Sequence, residues 1–150
     1  MATPLAPALV ERLLEAARTA QGRAHAPYSR FHVGAAVLDE HGHVHSGCNV
    51  ENAAYPQGSC AETNAFGALV AAGGKQVRAL LVLGDGENLV TPCGGCRQRL
   101  RELAAPDTPV LIAGPGGVRA TFTLDELLPH SFGPENLALC PGRGPGRGSP

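Results

Sequence analysis

The chain has 150 residues, of which 43% are hydrophobic and 17% charged, and its formal net charge is -1. This length and balance fit one compact domain and exclude a disordered chain, and the near-neutral charge gives no general attraction to nucleic acid or to an anionic membrane. Aromatic residues make up only 4% and Trp is absent, so the core must be built from Ala, Leu and Val.

The N-terminal segment and the cysteines bear on the compartment. No apolar run approaches the roughly 20 residues that span a bilayer, and the N-terminus lacks the basic region of a signal peptide. The five Cys are an odd number, and two of them form a C-x-x-C. This usage favours metal or redox chemistry in a reducing cytoplasm over a disulfide framework, so we expect a cytoplasmic protein that does not bind membranes.

The first predicted element is an amphipathic helix. Thr3 followed by Pro4 has the pattern of an N-cap and a first helical position. Apolar residues then recur with helical spacing as far as Ala17, and Gly22 ends the pattern.

The remaining segments alternate between strands and helices. The predicted strands are 31–38, 44–50, 77–83, 110–113 and 119–123, and the predicted helices are 60–72, 92–103 and 124–128. The stretch 39–43 supplies a hairpin turn between the first two strands, and the almost wholly apolar 77–83 has the pattern of a central strand covered on both faces. This order predicts an α/β fold, with helices packed on a mixed sheet of about five strands.

The C-terminal stretch has a different composition. Residues 140–150 are mostly Gly and Pro, which predicts a disordered tail after a single domain at 1–139.

Three thiols form a candidate metal site: Cys60, Cys93 and Cys96. A C-x-x-C alone fits a redox dithiol or half of a structural zinc site equally well. Here the C-x-x-C begins a predicted helix, and its thiols share one face of that helix with Leu100 and Leu103. Because the Leu side chains must face the core, we expect both thiols to face inward at its edge. Cys60 begins another predicted helix, and two helices joined through a central strand can lie side by side with their N-termini together. Three thiolates could then meet and bind zinc, with the fourth position left for water.

Two neighbouring charged residues suit this chemistry. Glu62 lies in the same helical turn as Cys60, where a carboxylate could exchange protons with a metal-activated water without binding the metal itself. A Glu in a first helical turn is also common simply because it complements the helix dipole. Arg97 directly follows Cys96 and is the candidate for offsetting the negative charge of three thiolates.

Five segments, in this order, resemble the small, homotetrameric type of cytidine deaminase. They are P-Y-S-R-F-H-V-G-A-A (27–36), G-C-N-V-E-N-A-A-Y-P (47–56), C-A-E-T-N-A (60–65), P-C-G-G-C-R-Q (92–98) and E-L-L-P-H-S-F-G-P-E-N-L (126–137). A Cys₃ zinc site with a nearby glutamate outside the metal shell is a feature of zinc deaminases in general. The resemblance implies a three-layer α/β/α fold and the hydrolytic deamination of cytidine and 2′-deoxycytidine in pyrimidine salvage.

The resemblance also implies roles at the metal. Cys60, Cys93 and Cys96 would bind Zn²⁺, one ion per subunit, and Glu62 would carry protons. The family often has C-A-E-R, with an Arg that hydrogen-bonds the thiolates, whereas this chain has Thr63 at that position. This departure leaves open how the charge on the zinc is tuned.

Further residues match substrate contacts of the family. Asn49 and Glu51 would hold the ribose 3′-hydroxyl, and Ala53 and Tyr55 would lie near the 5′-hydroxyl. An amide and a carboxylate at alternate positions suit a sugar hydroxyl, although turn polarity alone would also explain them.

The base would be held by other positions. Phe31 would pack on the pyrimidine with Val33 nearby, and the main-chain N–H groups of Ala61 and Glu62 would meet its O2 atom. Phe132 would reach into the site of a neighbouring subunit, which implies a homo-oligomer, a tetramer in this family, with shared sites.

Three other interpretations remain open from the sequence. A blasticidin S deaminase-like enzyme shares the zinc motifs and the L-L-P segment, but the N-V-E-N-A-A-Y-P stretch favours a nucleoside sugar. A polynucleotide deaminase is disfavoured by the neutral charge and by the lack of a basic, aromatic groove. A non-catalytic zinc module would need a fourth protein ligand, for which Cys48 and Cys140 are the weak candidates.

Overall fold

A computed structural model describes residues 2–138 of the chain. The helices are α1 (Pro7–Gln21), α2 (Ala61–Ala71), α3 (Gly94–Leu103), α4 (Leu124–Leu127) and α5 (Pro134–Ala138). The strands are β1 (Gly34–Asp39), β2 (Val44–Cys48), β3 (Val77–Leu83), β4 (Pro109–Gly114) and β5 (Gly117–Thr123), and a short 3-10 helix spans Tyr55–Gln57. Among the described residues, no helix is long and apolar enough to cross a membrane.

The five strands form one mixed sheet in the order β2-β1-β3-β4-β5. Strand β1 is antiparallel to both of its neighbours, β2 and β3, whereas β3 and β4 are parallel and β5 returns antiparallel to β4. Strands β2 and β3 therefore run in the same direction. Because α2 follows β2 and α3 follows β3, both helices begin at the same edge of the sheet.

Helices cover both faces of the sheet, so the expected three-layer α/β/α arrangement is confirmed. The alternation along β1 shows the division, because Ala36 and Leu38 pack in the cluster that contains α1, whereas Ala35 and Val37 pack in the cluster that contains α2 and α3. Strand β3 contributes to both clusters, which explains its almost wholly apolar sequence. Each fully buried Leu or Val in these clusters contributes roughly 1.5–3 kcal/mol through removal of apolar surface from water.

Two glycines allow helices to lie directly against strands. A Cβ atom at Gly34 would lie 1.9 Å from the carbonyl oxygen of Ala17, so α1 packs on β1 at a distance that only glycine permits. A Cβ atom at Gly47 would lie 2.5 Å from the backbone nitrogen of Ala65 and 2.6 Å from the carbonyl oxygen of Ala61. The close contact at Gly47 fixes the first turns of α2 against the end of β2.

The first helix begins later than the sequence predicts. Helix α1 begins at Pro7, and the N-cap position belongs to Ala6, which makes no side-chain capping bond. The predicted cap at Thr3 with Pro4 was therefore wrong. The proline argument applies equally to Pro7, whose fixed φ also suits a first helical position.

Other boundaries differ by a few residues, and the tail lies outside the described part. Strand β1 begins at Gly34 because the backbone of Phe31 and Val33 bonds to the side chain of Asn49 instead of extending the strand. Strand β2 ends at Cys48. The predicted domain end at 139 and the tail at 140–150 lie beyond the described residues.

Candidate metal centre

Three sulfur atoms meet where α2 and α3 begin. Cys60 and Cys93 occupy the N-cap positions of the two helices, and Cys96 lies in the first turn of α3. The ligand atoms of the three residues all lie within 4.8 Å of one another, and the Sγ atoms of Cys60 and Cys93 are 3.8 Å apart. Because β2 and β3 end at the same edge of the sheet, Cys60 and Cys93 come together although they are 33 positions apart.

The three thiols differ in exposure. Cys96 is fully buried, Cys60 is half-buried and Cys93 is exposed. The prediction that both thiols of the C-x-x-C face inward is therefore correct for Cys96 and wrong for Cys93. Because Cys93 precedes the helix as its N-cap, its side chain does not follow the helical stripe.

The geometry of the group fits zinc. A tetrahedral ion with Zn–S bonds of about 2.3 Å holds its sulfurs about 3.8 Å apart, which matches the observed pair. Within residues 2–138, these three residues alone make up the group of potential ligands, so Cys48 does not join it. A set of three protein ligands is the pattern of catalytic zinc, whereas structural zinc is closed by four. Cys140, the other weak candidate for a fourth ligand, lies outside the described residues.

Glu62 lies in the first turn of α2 and is only 5% exposed. Burial raises the pKa of its carboxyl, while its own backbone N–H and the Cys96 thiol act in the opposite direction. A raised pKa makes a buried carboxyl beside a metal site a stronger proton acceptor, which suits it to accept a proton and return it.

The thiols influence one another strongly. A hydrogen bond with Cys96 lowers the pKa of the Cys60 thiol. The same contact, together with burial, raises the pKa of the Cys96 thiol. Three thiolates could share this space only beside a compensating cation, which a divalent metal would supply.

Thr63 and Arg97 take different places around this group. The Thr63 hydroxyl lies 3.6 Å from the Cys96 sulfur, so this chain keeps a hydrogen-bonding side chain beside the ligand that is most buried. The Arg97 guanidinium instead donates to the carbonyl oxygens of Pro92 and Leu127 and to the Thr91 hydroxyl. It ties the C-x-x-C turn to α4, and any effect of its charge on the thiolates would act through space.

Asn49 and Phe31 meet just beyond the ends of the first two strands. The Asn49 side-chain amide donates to the Phe31 carbonyl at 2.8 Å and accepts from the Val33 N–H at 2.9 Å. The Phe31 ring remains partly exposed. Asn49 therefore holds the backbone on both sides of this aromatic residue, a contact over 16–18 positions that sequence periodicity does not reveal.

Glu51 lies in the same region, where the segment before Phe31 donates hydrogen bonds to its carboxylate. Its Oε1 atom accepts from the N–H groups of Tyr28 and Ser29, both at 3.0 Å, and its Oε2 atom accepts from the Ser29 hydroxyl. The Ser29 hydroxyl, followed by these N–H groups, holds the pKa of the Glu51 carboxyl below its ordinary value. Glu51 is therefore ionised at neutral pH. Sequence reasoning missed Ser29, and its only signal was its place in P-Y-S-R-F.

The other candidate substrate residues are mostly at the surface. Tyr55 is 74% exposed, and its ring meets the Tyr28 ring edge-on at 5.7 Å between centroids. Ala53 is exposed, and Phe132 is 59% exposed. Ala61 is buried as the first residue of α2, beside the candidate ligand Cys60.

Comparison with known proteins places this arrangement in a family. The model of the cytidine and deoxycytidylate deaminase zinc-binding region matches residues 8–112. The cytidine deaminase of Sporosarcina psychrophila is 41% identical over 131 residues, covering 87% of this chain and 96% of the relative. The cytidine deaminase of Halalkalibacterium halodurans is 40% identical over 127 residues, covering 85% and 96%.

Solved structures agree with the sequence comparison. The crystal structure of cytidine deaminase from Burkholderia pseudomallei superposes with a TM-score of 0.76 at 42% identity, covering 81% of this chain and 98% of that one. The structure of cytidine deaminase from Mycobacterium tuberculosis gives a TM-score of 0.69 at 41% identity, covering 82% and 96%. Sequence, fold and the thiol group thus lead to one conclusion: the chain belongs to the cytidine and deoxycytidylate deaminase family.

Proposed function

We propose that this protein catalyses the zinc-dependent hydrolytic deamination of cytidine and 2′-deoxycytidine to uridine and 2′-deoxyuridine, with release of ammonia, as part of pyrimidine salvage. The observation that carries the proposal is the meeting of three sulfurs within 4.8 Å at two helix N-termini, with the buried carboxyl of Glu62 in the same helical turn as Cys60. The relatives named cytidine deaminase, at about 40% identity over most of the chain, support the choice of substrate.

The metal has a defined place in this proposal. Cys60, Cys93 and Cys96 would hold one Zn²⁺ per subunit. When bound, the ion would supply a water whose pKa is lowered to about 7, and hence a nucleophile at neutral pH. The N-terminal ends of α2 and α3 point their partial positive charge at the thiolates and offset part of their negative charge.

Glu62 performs the proton transfers. Its carboxylate accepts a proton from the attacking water and delivers it to N3 of the pyrimidine, which makes C4 more electrophilic. The hydroxyl oxygen then adds to C4, and Glu62 carries the remaining proton of this hydroxyl to the amino group. The C4–N bond breaks, ammonia leaves and the C4 carbonyl of uridine remains, so one water is consumed for each ammonia released.

The sugar would be held by Asn49 and Glu51. One N–H of the Asn49 amide bonds to the Phe31 carbonyl, and the second can meet the 3′-hydroxyl. The ionised Glu51 carboxylate can accept from the same hydroxyl. Ala53 and Tyr55 would lie toward the 5′-hydroxyl.

The base would be held against an aromatic ring and two main-chain donors. The partly exposed Phe31 ring would pack on the pyrimidine, and the N–H groups of Ala61 and Glu62 would meet its O2 atom. These contacts fix C4 and N3 relative to Glu62, which is how binding energy is converted into rate.

The assembly and location also belong to this proposal. A homotetramer with shared sites would use the exposed Phe132 of each subunit to complete a neighbour's site. The deaminase domain would occupy residues 1–139. The cytoplasm is the proposed location, because the three thiols must stay reduced to bind a metal.

The proposal is tested by following the conversion of cytidine by its ultraviolet absorbance, with zinc measured on the same sample. Turnover should scale with zinc content, and the zinc content should approach one ion per chain at full activity. A competition between cytidine and blasticidin S would separate the two deaminase specificities. Preferential turnover of blasticidin S, or no turnover of either compound by the zinc-loaded protein, would refute the proposed substrate.

A further inference from the structure

Ser29 forms a bridge between two residues that serve different parts of the proposed substrate. Its hydroxyl donates to Oε2 of Glu51 and accepts from the N–H of Phe31, which lies 3.0 Å away. Its own N–H donates to Oε1 of Glu51 at 3.0 Å. One residue thus contacts both oxygens of the carboxylate and the backbone of the aromatic residue.

The turn that carries Ser29 is held in an unusual conformation. Arg30 has a φ of 58°, in the left-handed region that a non-glycine residue seldom occupies. Its N–H bonds to the Ala26 carbonyl at 3.0 Å, which closes the turn. Because this conformation is unfavourable by itself, the bonds at Ser29 and Ala26 must hold it in place. Strain of this kind is often found at functional sites.

The bridge borders a cavity. A space of about 260 Å³ is lined by Tyr28, Ser29, Glu51, Asn52, Tyr55 and Gly58. Two aromatic rings and one ionised carboxylate around a concave surface suit a small polyhydroxylated ligand such as a sugar. Glu51 and Ser29 therefore both line this cavity, and Ser29 holds the Glu51 carboxylate there by hydrogen bonds.

We propose that Ser29 is a positioning residue, which aims the Glu51 carboxylate at the sugar 3′-hydroxyl and fixes the backbone of Phe31 for contact with the base. This inference rests on the proposed function and adds to it a residue that couples the sugar subsite to the base subsite. Ser29 itself touches neither the reacting atoms nor the metal group. Its loss should therefore weaken substrate binding through Glu51 and leave the chemical step intact.

The test compares Ser29→Ala with the native protein on two substrates, cytidine and 3′-deoxycytidine. With cytidine, the KM of Ser29→Ala should rise about tenfold, as expected when a carboxylate loses a charge-assisted hydrogen bond, while kcat stays within about twofold. With 3′-deoxycytidine, which lacks the hydroxyl, the same substitution should raise KM by clearly less than with cytidine, because only the effect through the Phe31 backbone remains. Equal losses on both substrates would mean a general disturbance of the loop and would overturn the inference.

Two further variants keep the test decisive. Ser29→Cys has nearly the same size and bonds more weakly, so its KM for cytidine should fall between those of the native protein and Ser29→Ala, even if the alanine variant folds poorly. Ser46→Ala is the matched control, because Ser46 is an exposed serine on β2, and it should leave both substrates unchanged. A native-like KM for both Ser29 variants on cytidine would overturn this inference and leave the proposed function standing. A native, zinc-loaded protein that does not convert cytidine would refute the proposed function, and this inference with it.

Discussion

Thr63 is the residue at which this chain departs from the often observed C-A-E-R pattern. Its hydroxyl lies 3.6 Å from the sulfur of Cys96, the most buried of the three candidate ligands. A hydroxyl can donate one hydrogen bond to a thiolate but brings no charge. Outer hydrogen bonds of this kind orient a ligand and retain the metal.

Replacing Thr63 by Val should therefore loosen the metal. Thr63→Val keeps the branched shape and removes the donor, and we expect zinc to pass to a colorimetric chelator about tenfold faster than from the native protein. Thr63→Ser keeps the hydroxyl and serves as the control, with release close to the native rate. If the Val and Ser variants release zinc equally slowly, the Thr63–Cys96 contact has no part in holding the metal.

Individual contacts were predictable from sequence only where a helix start fixes the side chain. Cys60, Cys93 and Glu62 lie at or next to helix N-termini, so a local pattern was enough to predict that they meet, although it gave the wrong exposure for Cys93. The bonds of Asn49 to Phe31 and of Ser29 to Glu51 depend on the path of the loop between α1 and β1, which no periodicity encodes. The direction of the Arg97 guanidinium likewise depends on where α4 packs.

Helix α2 positions Cys60 and Glu62 at the candidate metal site. Its first turns lie against Gly47 of β2, where a Cβ atom would come within 2.6 Å of the helix backbone. A side chain at this position would push α2 away from the sheet, and with it both Cys60 and Glu62. The geometry of the site thus depends on a glycine that touches no ligand.

Gly47→Ala should lower the free energy of unfolding by about 1–3 kcal/mol, because overpacking between backbones cannot be relieved by a rotamer change. It should also reduce zinc retention. Gly67→Ala is the matched control on the outer face of α2, where an added Cβ meets nothing within 4 Å, and it should stabilise the protein by about 0.5–1 kcal/mol. Urea unfolding of both variants checks these signs. A Gly47→Ala protein as stable as the Gly67→Ala protein would contradict the close packing of α2 on β2.

Elements with strong periodicity were predicted best. The bounds predicted for β3 match the observed ones, because a strand covered on both faces has a distinctive, almost wholly apolar sequence. The start of α1 was wrong by three residues, since Pro4 and Pro7 suit a first helical position equally well. The strand order within the sheet was not predicted, because pairing depends on contacts between distant segments.

The proposed tetramer gives an exposed aromatic residue a specific role. Phe132 is 59% exposed, so its ring is free to contact a neighbouring subunit. In the proposed tetramer, Phe132 completes the site of a neighbouring subunit. Sites shared in this way can be recognised by mixing variants.

Coexpression of Glu62→Gln with Phe132→Ala should restore activity that neither variant has alone. Random association of the two chains places an intact Glu62 opposite an intact Phe132 in about a quarter of the sites. The measurement compares the turnover of the coexpressed assembly with the turnover of each variant expressed by itself. Activity no greater than the sum of the separate variants would mean that each site is built from one chain.

The proposed reaction depends on zinc held by the three thiols and on Glu62, which moves the protons. It is tested most directly by measuring zinc content and cytidine turnover on the same samples of the native protein and of Glu62→Gln. Because Gln has nearly the same shape and cannot accept a proton, we predict about one zinc per chain in both proteins and a loss of at least about 10³-fold in kcat for the variant. A zinc-loaded Glu62→Gln protein that deaminates cytidine at the native rate would contradict the account.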